Sequence, residues 1–159
     1  MYFNRSFLSK PILLVKKITD TIELEELTFS ELDPREVALL KRAQEISTKA
    51  YAPYSKFPVG VAALVDDGRL ISGANVENAS YGLGLCAECS LVSALTMSGG
   101  GRLVAIVCVD AHGNFLAPCG RCRQLIFEHG GNEALLMTPD GPQKMSAMLP
   151  WAFGPEDLK

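Results

Sequence analysis

Three thiols in two separated segments constrain this chain more than any other feature. Cys86 stands in Cys86-Ala87-Glu88, and Cys119 and Cys122 stand in Pro118-Cys119-Gly120-Arg121-Cys122. Each segment reads as the start of a helix, so if the thiols meet, two helix N-termini must end at one point. A helix N-terminus carries partial positive charge, which favours thiolate over thiol. Three thiolates can fill three corners of a tetrahedral zinc site. Zinc that does chemistry keeps the fourth position open to water, whereas zinc that braces a fold is closed by four protein ligands. A fourth thiol, Cys89, supplies the rival pattern Cys86-x-x-Cys89 … Cys119-x-x-Cys122. Glu88 bears on the choice. Three thiolates leave a zinc site negative and make the metal a weaker acid, so a base beside the open position becomes more necessary.

Composition narrows the partners. The chain has 159 residues, 48% hydrophobic and 21% charged, with a formal net charge of -3. That suits one domain with a real core. It does not suit a nucleic-acid polymer, whose phosphates call for a basic face. The cysteine count is five, an odd number, and four of them stand in close pairs. This spacing suggests metal rather than a disulfide framework. No apolar run approaches the length of a membrane span. Pro11 to Val15 is too short for a secretory core and no small-residue cleavage site follows it, so a cytoplasmic location is expected.

Along the chain, residues 1–31 show no sustained period and are expected to be a flexible extension. Ile12 to Val15 and Thr21 to Leu24 are candidate short strands there. Residues 32–159 are expected to form a single catalytic domain. Asp33 caps and Pro34 opens a helix running to about Tyr51. Val59–Val65 and Leu70–Val76, joined by Asp66-Asp67-Gly68, predict a hairpin. The helix starting at Cys86 has almost no polar face and is expected to be buried. Leu103–Val109 predicts a central strand covered on both sides. Another helix follows Pro118, with Cys119 and Cys122 on one face and His129 in its last turn. Ala134–Met137 predicts a strand, Met145–Leu149 a helical turn, and the remainder a tail. Strands and helices alternate, as in an α/β layer fold. Cys108 reads as core, and Cys89 as packing on a buried helix.

Taken together, Val59-Gly60-Val61-Ala62-Ala63, Asn75 to Gly82, Cys86-Ala87-Glu88 and Pro118 to Gln124 resemble the small homotetrameric class of cytidine deaminases. The likeness covers about residues 35–158. It implies a three-layer α/β/α fold with a mixed five-stranded sheet. It implies one zinc per chain on Cys86, Cys119 and Cys122, and Glu88 as the proton shuttle. Asn75 and Glu77 would hydrogen-bond the ribose 3′-hydroxyl, with Ala87 among the substrate contacts. Phe57 would pack on the pyrimidine and Phe153 would arrive from a neighbouring subunit. Ala79 and Tyr81 would help complete a neighbour's site near the 5′-hydroxyl. The implied reaction, part of pyrimidine salvage, converts cytidine and deoxycytidine to the uracil nucleosides and ammonia. One position departs from the pattern. Members with three cysteine ligands mostly carry Arg directly after the glutamate, where this chain has Cys89, so Arg121 and Arg123 become candidates to offset the thiolate charge.

Two other readings stand beside this one. A non-catalytic structural zinc module with four cysteine ligands would use Cys86, Cys89, Cys119 and Cys122. Against it, about thirty residues separate the pairs, more than zinc ribbons use. Such a module also gives no reason for Glu88, Asn75 or Glu77. A deaminase of a related aminopyrimidine compound is the nearer rival. A nucleotide substrate would want a basic pocket, and Asn75 to Gly82 contains no Arg or Lys.

Overall fold

The computed structural model describes residues 34–159 together with the backbone of two strands, β1 (Ile12–Ile18) and β2 (Thr21–Leu27). These two pair with each other, antiparallel, and include both candidate strands of the N-terminal stretch. The expected flexibility of residues 1–31 otherwise falls outside the described residues.

The remaining elements in order are α1 (Pro34–Ser47), β3 (Val59–Val65), β4 (Leu70–Ala74), α2 (Ala87–Met97), β5 (Leu103–Asp110), α3 (Gly120–Gly130), β6 (Leu135–Thr138), β7 (Gly141–Lys144) and α4 (Met145–Met148). Five strands form one sheet in the order β4-β3-β5-β6-β7. β5 runs parallel to β6 and the other neighbours are antiparallel. The sheet is therefore mixed, with β5 at its centre.

Period-2 alternation in β3 and β5 sorts their side chains between two cores. Ala62, Val107 and Val109 face α1 and meet its Leu39, Leu40 and Ala43. Val61, Ala63, Ile106 and Cys108 face the other way, among Leu91 and Leu95 of α2 and Ile126 of α3. This is the three-layer α/β/α arrangement.

Two strand glycines let the helices lie close. A Cβ on Gly60 would stand 2.0 Å from the Ala43 carbonyl oxygen, and one on Gly73 would stand 2.4 Å from the Leu91 nitrogen. Strand glycine at such a position marks close backbone approach. Gly73 sets the depth at which α2 rests on β4, and so the height of Cys86 above the sheet.

Three expectations from the sequence need correction, and one strand has no counterpart among them. Helix α1 ends at Ser47 rather than near Tyr51. Ser47 and Thr48 hydroxyls donate to the carbonyls of Gln44 and Glu45, and the Tyr51 N–H goes instead to the Asn75 carbonyl at 3.0 Å. β4 stops at Ala74 because Val76 leaves the hairpin to bridge Tyr51 and Leu85. Helix α2 is not buried all round. It sinks Ala87, Glu88, Leu91 and Leu95, while Ser93, Thr96 and Met97 remain exposed, since an outer-layer helix covers the sheet with one face only. The strand without a counterpart is β7, and it contains Pro142, a residue that by itself argues against a strand. Proline is tolerated on edge strands, and β7 is the edge.

Replacing Gly60 by Ala should destabilise the protein by about 3 kcal/mol, the scale of a forced overpacking. Gly82→Ala, whose Cβ would meet nothing within 4 Å, should change stability by less than about 0.5 kcal/mol. Denaturant unfolding midpoints of the two variants measure the contrast.

Candidate active site

Cys86 is the residue immediately before α2, and Cys119 the residue immediately before α3. Both have extended backbone (φ -65°, ψ 157° and φ -63°, ψ 166°) and neither thiol caps its own helix. The sulfurs are thus free to point elsewhere, and each sits at the donor end of an 11-residue helix. Cys122 lies in the first turn of α3. The sulfurs of Cys86, Cys119 and Cys122 all lie within 4.8 Å of one another. Zinc–sulfur bonds of about 2.3 Å at tetrahedral angles put sulfurs roughly 3.8 Å apart. The cluster is therefore compatible in size with zinc, and as a set of three it leaves one corner open.

Without metal, the thiols differ. Burial pushes Cys86 up, and burial followed by the charge of Glu88 pushes Cys122 up more strongly. The Cys122 backbone N–H lies near enough to the Cys119 sulfur to hold that thiol below its usual range, without closing a capping hydrogen bond.

Glu88 is only 5% exposed. It lines a cavity of about 310 Å³ together with the three cysteines, Asn75, Glu77, Ala87 and Cys108. Its wall at residues 75–77 is held by a backbone stitch. Val76 and Leu85 exchange N–H···O bonds at 2.9 and 2.8 Å, and the Glu77 N–H donates to the Tyr51 carbonyl at 2.8 Å. Asn75 accepts from the Val59 N–H at 2.8 Å and donates to the Phe57 carbonyl at 3.1 Å. Glu77 Oε2 accepts the amides of Tyr54 and Ser55 at 2.8 and 3.2 Å. The Ser55 side chain, then those amides, hold the Glu77 carboxyl below the usual range. Both amides fall on Oε2, so Oε1 accepts neither of them.

A second cavity of about 420 Å³ shares Glu77 and Gly84 with the first and is lined also by Tyr54, Ser55, Asn78 and Tyr81. Tyr81 sets its ring edge-on to Tyr54, centroids 6.4 Å apart. Four of the residues named from the sequence lie outside the walls of the first cavity in a single chain: Phe57, Ala79, Tyr81 and Phe153. Phe57 and Phe153 are largely exposed, although Gln124 Nε2 donates to the Phe153 carbonyl at 2.7 Å and anchors that segment to α3.

Cys89 and Cys108 stand where the sequence reading put them, outside the metal-capable cluster, but each makes a contact that reading did not supply. Cys89 is not in the thiol cluster. Arg121 Nη2 instead donates to its sulfur at 2.9 Å. Cys108 is core, as read, but its Sγ also lies 3.6 Å from Glu88 Oε1. No sequence signal marks that contact, because it depends on how α2 lies over β5. Arg123 donates to the carbonyls of Pro118 and Met148 at 2.9 and 3.0 Å, bracing the approach to Cys119.

An open thiolate set with a buried acid beside it belongs to zinc enzymes that activate water, not to zinc modules that only brace a fold. Comparison with known proteins narrows the class. Residues 34–138 match the family described as the cytidine and deoxycytidylate deaminase zinc-binding region, and the chain belongs to it. A cytidine deaminase of Mycobacterium tuberculosis is 59% identical over 116 residues, 73% of this chain and 87% of that protein. The crystal structure of cytidine deaminase from Mycobacterium leprae superposes with a TM-score of 0.73 at 62% identity, covering 74% of this chain and 99% of that one. That from Mycobacterium tuberculosis gives 0.74 at 56%, covering 77% and 99%.

Metal analysis of purified variants separates the two zinc patterns. Cys119→Ala and Cys122→Ala should lose zinc, whereas Cys89→Ser should keep about one zinc per chain, because its sulfur is turned to Arg121. Zinc loss in Cys89→Ser would return the site to a closed four-thiol set.

Proposed function

We propose that the chain hydrolyses cytidine and deoxycytidine to uridine and deoxyuridine with release of ammonia. The observation that carries this reading is Glu88, a buried acid on the cavity wall shared with the three-thiol cluster. Zinc held by Cys86, Cys119 and Cys122 supplies Lewis acidity toward water. Glu88 carries the protons. Its carboxylate takes one from the attacking water as the oxygen bonds to C4, and delivers it to N3 of the ring. It then takes the proton of the new C4 hydroxyl and gives it to the departing 4-amino group, so that the C4–N bond breaks as the C4 carbonyl forms, ammonia leaves and Glu88 ends as a carboxylate again.

Asn75 and Glu77 address the ribose 3′-hydroxyl, Glu77 through the oxygen not taken by the Tyr54 and Ser55 amides. Ala87 lines the pocket floor. Neither cavity is lined by Lys or Arg, which favours an uncharged nucleoside over a nucleotide. Arg121, tethered to Cys89, offsets the thiolate charge that Arg offsets elsewhere in the family. The closed four-thiol reading is disfavoured by the same contact.

The active form is a homotetramer with shared sites. Tyr81, on the wall of the second cavity, and the exposed Phe153 and Trp151 leave apolar surface uncovered, and such surface on one chain calls for a partner. Phe57 and a neighbour's Phe153 then close on the pyrimidine, and a neighbour's Ala79 and Tyr81 on the 5′ side. Five free cysteines suit the reducing cytoplasm and a role in pyrimidine salvage.

Glu88→Gln should keep its zinc and its fold yet lose cytidine turnover by roughly a thousandfold or more, on the scale of losing a general acid–base group. An ultraviolet deamination assay beside a zinc count measures this, and near-normal turnover would refute the mechanism. Analytical ultracentrifugation at assay concentration should show a tetramer. An active monomer would rule out shared sites.

A further inference from the structure

A buried carboxylate that must move protons has to be held in one orientation, and buried polar groups in native proteins have hydrogen-bond partners. When Cys86, Cys119 and Cys122 bind zinc as thiolates, none of them keeps an S–H to donate. One other thiol reaches Glu88. Cys108 sits on the central strand β5, opposite Val61 of β3. It is 1% exposed and lines the same cavity as the cluster. Its Sγ lies 3.6 Å from Glu88 Oε1, an ordinary length for a donor with sulfur's large radius. Burial, and then the charge of Glu88, push the Cys108 thiol well above its usual range, so it remains a donor. Cys108 is not part of the metal-capable cluster. Packing alone would ask for no more than a small apolar group at this point of β5.

We infer that Cys108 is a positioning residue, whose S–H holds Oε1 of Glu88 and leaves Oε2 turned toward the reacting atoms. The inference rests on Glu88 being the proton carrier. The bond acts on the carboxylate and not on the nucleoside, so its loss bears on kcat and leaves KM nearly alone. S–H···O bonds are weak, and the effect is correspondingly modest.

Infrared spectroscopy of the zinc-loaded protein tests the contact without reference to activity. The S–H stretch falls where other protein groups scarcely absorb, and the Cys108 band is the one that Cys108→Ala removes. In the unmutated protein this band should lie below that of a free thiol, and Glu88→Ala should move it upward. Kinetics supply the second arm. Cys108→Val removes the donor and keeps an apolar, though somewhat larger, side chain, and should lower kcat roughly fivefold with KM within about twofold. Cys108→Ser keeps a donor and should recover most of that loss, with zinc content unchanged in both. A band unmoved by Glu88→Ala, or a Cys108→Val enzyme with undiminished kcat, overturns the role of Cys108 while an inactive Glu88→Gln leaves the deaminase reading intact. Near-normal turnover by Glu88→Gln overturns the reading on which the inference rests. If Cys108→Val fails to fold, the infrared comparison still decides.

Discussion

The convergence of two helix N-termini governs this structure. Cys86 and Cys119 each stand one residue ahead of an 11-residue helix, and both helices lie on the same face of the sheet, packed against each other. Their sulfurs meet only because α2 is seated at a fixed depth by Gly73 and α3 crosses over from β5 to β6. The unpaired N–H groups and partial positive charge of both helices fall at one point. That is where three thiolates need compensation.

The rest of the site is built around that point by backbone bridges and by two side chains that bond to backbone. The 75–77 segment leaves its hairpin and is stitched between Tyr51 and Leu85. This turns Asn75 and Glu77 into the wall facing the cluster. The bonds that Asn75 makes to Val59 and Phe57, and Glu77 to Tyr54 and Ser55, tie the 54–59 loop to the same wall. Polar residues at the end of a strand thus serve twice, as fasteners for a loop and as lining of the cavity.

Charge at the site is arranged in two shells. Glu88 is buried among the thiols and raises the pKa of Cys122, second to burial itself. Arg121 lies on the outer side, bound to Cys89 and feeling the charge of Cys86 and Cys122. A buried acid inside and a cation outside frame the cluster with groups of opposite character.

Much of this was legible in the sequence. Local chemistry determined the helix starts at Pro34, Cys86 and Cys119, the hairpin around Asp66-Asp67-Gly68 and the buried central strand, because caps, turns and apolar runs act over a few residues. The order of motifs pointed to the family for the same reason, since each motif is short and self-contained. What only the tertiary structure decided depends on contacts between distant segments. The early end of α1, the departure of Val76 from β4 and the strand hidden by Pro142 all follow from where neighbours lie. So do the two cysteines. Nothing near Cys89 in sequence says that Arg121, 32 residues on, takes up its sulfur. Nothing near Cys108 says that a strand thiol, 20 residues from Glu88, touches its carboxylate. Helix packing over the sheet sets both distances, and periodicity within one element cannot encode them.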